Sequence, residues 1–318
     1  MNNKKFGLRV RKLAVKVLGK VGVREKIIEP PSIESNSPFV YYAYFDTIEI
    51  IHGIEGIIGS TELPNSLIIR PGKFKFDEKT YDLNREGLYR FVYPGKENHQ
   101  RIVYEKNIDA LLSGISWIYS HGNSDDNKTY QEINEKALYS KIFATCGSIS
   151  EWAKKILEEN NIKARIVSSL TLEQWNSYDN GHILLEVYRN DFKKWVVYDL
   201  DNNSFFSTNG TPLSLIEFST QSAVSDYMIN YLASNSNVDV ANFVDGKTNY
   251  DYAFLMEARF ANENSRKQWY KRVMQVPLIG DGKFNYFFND SDISRVMSYS
   301  SYYKHMNKEQ FLKQFYSE

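Results

Sequence analysis

Residues 145–169 read TCGSISEWAKKILEENNIKARIVSS, and this stretch decides the fold. Ile149, Trp152, Ala153, Ile156 and Leu157 recur at i, i+3, i+4, i+7 and i+8, the spacing of one apolar stripe on an α-helix. Ser148 and Glu151 stand at capping-box spacing near its start, and Asn160 with Asn161 supply a stop. A buried helix opening just after Cys146 is the expectation. Residues 164–170 then read as a strand-like run. Two further strands are expected at 182–188 and 194–198, with turns at 179–181 and 189–192.

A helix start is where a cysteine can do chemistry. The first N–H groups of a helix lack intrahelical partners and carry partial positive charge, which favours a thiolate and an oxyanion near it. A nucleophile also needs a base and a group that orients the base. His182 opens one expected strand and Asp199 ends the next, so a hairpin of the two sets the side chains next to each other. Taken singly, each residue has a plainer reading: a buried small hydrophobe for Cys146, an edge-strand histidine for His182, a turn residue for Asp199. The ordered combination favours a Cys146–His182–Asp199 triad.

Three blocks carry a family resemblance: residues 145–169, GHILLEVY at 181–188 and WVVYDLDNN at 195–203. Together they resemble the transglutaminase-like proteins, which share the papain-type fold. The resemblance covers roughly residues 107–217. It implies an α+β core in which the cysteine-bearing helix packs on an antiparallel sheet, with Cys146 as nucleophile, His182 as general acid/base and Asp199 as its orienting partner. It also implies a thioester intermediate, leading to acyl transfer or amide hydrolysis on a peptide, amide or glycan-linked acyl substrate. Asn161 replaces the glycine usual in the helix connection, a change asparagine accommodates because it adopts the left-handed conformation. Leu184 stands where the family often has tryptophan, which leaves the substrate class open. Trp117 and Tyr139 are upstream candidates for a second oxyanion donor, with core packing the favoured role for both.

Outward from this core the chain divides into a basic segment at 1–28, a Pro- and Ser-rich linker at 29–38, a β-rich lobe at 39–105, the core at 106–220 and a helical, aromatic extension at 221–318. Strands are expected at 39–44, 47–51, 66–69 and 88–92, and helices at 107–120, 130–140, 226–233, 250–261, 267–274 and 304–316. The polar run HGNSDDNK at 121–128 reads as a loop.

Charge is balanced overall, 39 basic against 39 acidic residues in 318, but residues 1–26 hold nine basic side chains against one acid. That segment has the pattern of a basic amphipathic helix, which packs on the acidic remainder, rests on anionic lipid as a peripheral contact, or serves as a targeting signal. No apolar run of about 18 residues occurs, so no membrane span is expected and a cytoplasmic location is the reading. The single cysteine excludes an intrachain disulfide and a multi-cysteine zinc site. Asp199, Asp201 and Asn203 alternate like calcium ligands but lack the glycine and distal glutamate of an EF-hand loop. The other histidines show no ligand spacing, so no metal or cofactor is expected, and nothing points to nucleic acid. A non-catalytic module that holds a peptide or glycan, with a part in surface-polymer assembly, is the alternative from a different class.

Overall fold

Alternation along three strands builds the centre of the protein. In the computed structural model, β8 (Ala164–Leu170), β9 (His182–Arg189) and β10 (Lys194–Asp199) pair antiparallel, with Ser169 opposite His182 and Tyr198 opposite Leu185. Successive side chains of a strand point to opposite faces. Leu185, Val187, Val196 and Tyr198 accordingly join one apolar cluster, while Val167, Leu184 and Val197 join another. The structure describes residues 64–76, 79–83, 87–91, 99–172, 181–232 and 263–317. The basic segment, the linker, the strands expected at 39–44 and 47–51 and the helix expected at 250–261 lie outside the described residues.

The first face is covered by α1 (Ile108–Ile118) and α3 (Cys146–Glu159). Ile149, Trp152, Ala153, Ile156 and Leu157 of α3 are all buried, as their spacing predicts. Each such large apolar side chain contributes about 1.5–3 kcal/mol on burial. Asn161 ends the connection with φ of 58°, the left-handed conformation its side chain tolerates. The cap at the start of α3 differs from expectation. Thr145 is the N-cap residue, not Ser148, and its side chain makes no capping bond. Its hydroxyl and its N–H both turn to Asp126 Oδ1, at 3.3 and 2.8 Å.

Between these two helices, β6 (Tyr119–His121) lies parallel to β7 (Ile142–Ala144), with α2 (Tyr130–Ala137) connecting them. The polar loop after His121 braces this pair. Asp125 accepts from the Phe143 N–H at 2.8 Å and from Lys136.

Beyond β10 the sheet continues through β11 (Ser204–Thr208), β12 (Thr211–Pro212) and β13 (Met228–Tyr231), with α4 (Leu215–Val224) after β12. The helix expected at 226–233 is therefore a strand. Ser225 caps α4 in a left-handed conformation at φ 59°, and the chain then pairs along β11, so sheet pairing overrides the local helical pattern. After α5 (Glu263–Val273), β14 (Val276–Gly280) pairs with β8, followed by β15 (Asn285–Phe287), α6 (Ile293–Tyr299), β16 (Tyr303–His305) and α7 (Lys308–Tyr316). The segment after residue 221 is thus not a helical appendage. It adds four strands to the sheet, and α4, α5 and α7 supply residues that cover the second face.

The architecture is α+β, with seven helices and a nine-stranded mixed sheet among the described residues. Ahead of α1, β1 (Ile68–Ile69), β4 (Gly87–Phe91) and β5 (His99–Val103) form a three-stranded sheet, and β2 (Gly72–Phe76) pairs with β3 (Lys79–Leu83). No helix of the described residues is long and apolar enough to cross a membrane.

Candidate active site

The ends of β9 and β10 bring His182 and Asp199 together. His182 Nε2 lies 3.1 Å from Asp199 Oδ2, and both residues are buried. A tight backbone approach sets this position. Gly181 has φ of +102°, and a Cβ there would fall 1.7 Å from the Ser169 carbonyl oxygen on β8. Only glycine fits that space and that conformation.

Asp199 is held from every side. Its Oδ1 accepts from the Asp201 N–H at 2.9 Å and the Asn202 N–H at 3.3 Å. Its Oδ2 accepts from His182, from Asn202 Nδ2 at 2.8 Å and from the Tyr270 hydroxyl. Burial alone would push this carboxyl up, but the His182 charge and the Tyr270 hydrogen bond hold it below the ordinary carboxylate range. Trp269, the neighbour of Tyr270 on α5, packs edge-on against the His182 ring with centroids 4.9 Å apart. Burial opposes charge on His182, but Asp199 and Cys146 outweigh it, and the imidazole is pushed up to about 10.

Cys146 opens α3 and is half-buried. Its helix meets β9 at Gly147, where an added Cβ would sit 3.0 Å from Ile183 Cδ1. The thiol lies near enough to His182 to act on its charge. Nδ1, the ring nitrogen not engaged by Asp199, nevertheless makes no hydrogen bond of good geometry. His182 and Asp199 therefore form a bonded pair, Cys146 stands beside it, and no complete hydrogen-bonded triad is present. No side chain caps the helix here, and no acidic residue occupies its first turn, so the amides after Thr145 are not taken by a side chain of that turn.

Sequence reasoning missed Tyr270, Trp269 and Asn202. The two aromatic residues come from a helix about 70 positions downstream of Asp199, with no spacing that links them to it. Of the upstream oxyanion candidates, Tyr139 is exposed and follows α2. Trp117 lies on α1, and its side chain is outside the described residues.

One ligand atom each from His182, Asp199 and Asp201 falls within 4.8 Å of the others, which is the composition of a metal site. The five donors already aimed at Asp199, one of them His182 itself, occupy the oxygens a cation would need. The donor set fits a hydrogen-bonded pair better than a cation.

Farther along the sheet, Arg165 of β8 has a structural role. Its guanidinium meets the buried Glu186 at 2.6 Å, donates to the Phe315 carbonyl and lies over the Trp195 and Tyr316 rings. Comparison with known proteins returns no matching family model, curated sequence or solved structure.

Proposed function

We propose that this protein is a cysteine-dependent acyl-transfer or amide-hydrolysing enzyme of the transglutaminase-like kind, acting through Cys146, His182 and Asp199. The observation that carries the reading is the buried His182–Asp199 pair, with Cys146 at an uncapped helix start beside it. In this scheme the Cys146 sulfur attacks a carbonyl carbon and forms a C–S bond, its proton passing to His182 Nδ1. The amide C–N bond breaks as Nδ1 returns that proton to the leaving amine. Water or a second amine then attacks the thioester, gives its proton to His182 and releases Cys146. Asp199 stays ionised and holds the ring through Nε2. The amides at the start of α3 stabilise the oxyanion. The substrate is a peptide, an amide or a glycan-linked acyl group. Trapping an acyl adduct on Cys146 from cell extract and weighing it by mass spectrometry tests the scheme. No adduct on Cys146, under conditions where the intact chain is recovered, counts against it.

One observation favours a second reading, a non-catalytic module that holds a peptide or glycan at the same site. His182 Nδ1 makes no well-aligned hydrogen bond to the thiol, although the two side chains stand close enough to interact. Catalytic hydrogen bonds often tighten only when substrate is bound, which keeps the enzyme reading first. Peptide or glycan binding that persists unchanged in Cys146→Ala, without any turnover by the wild type, selects the module.

A further inference from the structure

A second buried polar cluster adjoins the His182–Asp199 pair. Asp201 Oδ2 lies 3.1 Å from His121 Nδ1, and the Tyr119 hydroxyl donates to Asp201 Oδ1. The Tyr119 hydroxyl and His121 Nδ1 are 2.9 Å apart. All three side chains are buried. The cluster touches the proposed site on two sides. Asp201 donates its N–H to Asp199 Oδ1, and its carboxylate is within 4.8 Å of the His182 ring. Tyr119 and His121 sit on β6, where His121 faces Ala144 of β7 and the Gly122 N–H donates to the Ala144 carbonyl at 2.9 Å. β7 runs directly into Thr145 and Cys146.

Burying a carboxylate is costly unless it is bonded and offset by charge. Asp201 gains bonds from Tyr119 and His121, and His182, within 4.8 Å, is a further site for an opposing positive charge. Among the described residues, the ionisable groups at this centre include Cys146 from α3, Tyr119 and His121 from β6, Asp199 from β10 and Tyr270 from α5, with the Arg266 guanidinium of α5 beside Tyr270.

We propose that Asp201, clamped by Tyr119 and His121, is a positioning residue: a second carboxylate that stabilises the charged form of His182 and so favours the Cys146 thiolate. The inference rests on the acyl-transfer reading of Cys146 and His182. Asp201 also pushes the Asp199 carboxyl upward, an action of a negative charge. Two carboxylates around one imidazolium extend the pH range over which the histidine stays protonated beside the thiolate.

The test is the pH profile of Cys146 alkylation by iodoacetamide in the intact chain, read by mass spectrometry, for the wild type, Asp201→Asn and Asp201→Glu. A charge at this distance in a medium of effective dielectric about 20 shifts a titration by about one to two pH units, so in Asp201→Asn the alkaline step of the profile, where His182 gives up its proton, should move down by about one to two pH units. Asp201→Glu should leave that step near its wild-type position. A purely structural role would lower the melting temperature without moving the profile, and superimposable wild-type and Asp201→Asn profiles overturn the proposal. If Asp201→Asn does not fold, Tyr119→Phe decides. That change keeps the shape, removes one donor from Asp201 and should move the same alkaline step in the same direction by a fraction of a pH unit; an unmoved step overturns the proposal. A wild-type Cys146 no faster than a free cysteine overturns the acyl-transfer reading and this inference together, whereas a fast wild type with an unmoved variant profile overturns this inference alone.

Discussion

Gly181→Ala should open the sheet at the end that holds His182. Two costs add. A residue with a Cβ at φ of +102° is strained by about 1–2 kcal/mol. The new Cβ would also lie 1.7 Å from the Ser169 oxygen, 2.6 Å from its carbonyl carbon and 2.8 Å from the Leu170 Cα. These are backbone atoms of β8, and no side-chain rotation relieves the overlap. The Ser169–His182 pair is the last of the β8–β9 ladder, so separation there costs about one hydrogen bond, about 0.5–1.5 kcal/mol, plus local packing. The sum is about 3 kcal/mol, which lowers the melting temperature by about 6–12 °C at about 2–4 °C per kcal/mol. Urea denaturation followed by circular dichroism measures the loss, and alkylation of Cys146 should slow because His182 moves. An unchanged urea midpoint would mean that this position tolerates a side chain and that Gly181 does not set the His182 end of the sheet.

Tyr270→Phe removes a donor from the Asp199 carboxylate without changing the core volume, and should destabilise by about 1.5–3 kcal/mol in the same denaturation assay. Glu186→Ala leaves the Arg165 guanidinium, the Leu215 N–H and the Tyr316 hydroxyl without their shared acceptor, and should cost at least about 3 kcal/mol. Stability should also follow pH with a definite sign. His182 is raised from 6.5 to about 10 on folding, so its contribution is complete below about pH 6.5 and disappears as pH rises toward 10. Asp199 is lowered from 3.8, so its contribution is present above that value and is lost as pH falls through the depressed value. The melting temperature should therefore drop between pH 7 and pH 10, and the drop should shrink in His182→Gln.

The legible parts were those set by local periodicity. The α3 stripe from Ile149 to Leu157 is buried as its spacing requires, and strands β8, β9 and β10 fall within a residue of their expected ends. Cys146 at the helix start, His182 at a strand start and Asp199 at a strand end could be read for the same reason. What could not be read depends on long-range pairing. The helix expected at 226–233 is β13 because β11 offers it partners. β14 joins β8 across about 100 residues of sequence. Tyr270 and Trp269 reach the site only because α5 packs over the face that β8 and β9 present. His121 looked isolated in sequence. Its partner Asp201 lies 80 positions away, and only the placement of β6 beside the β10 turn joins them.

The central claim is that His182, held by Asp199, activates Cys146. Its most direct test is the rate of Cys146 alkylation at pH 6, where a free thiol of pKa about 8.5 is less than about 1% ionised. The wild-type rate should be at least about tenfold above that of N-acetylcysteine and should fall to the free-thiol rate in His182→Ala. A wild-type rate equal to that of N-acetylcysteine, or one that His182→Ala leaves unchanged, would contradict it.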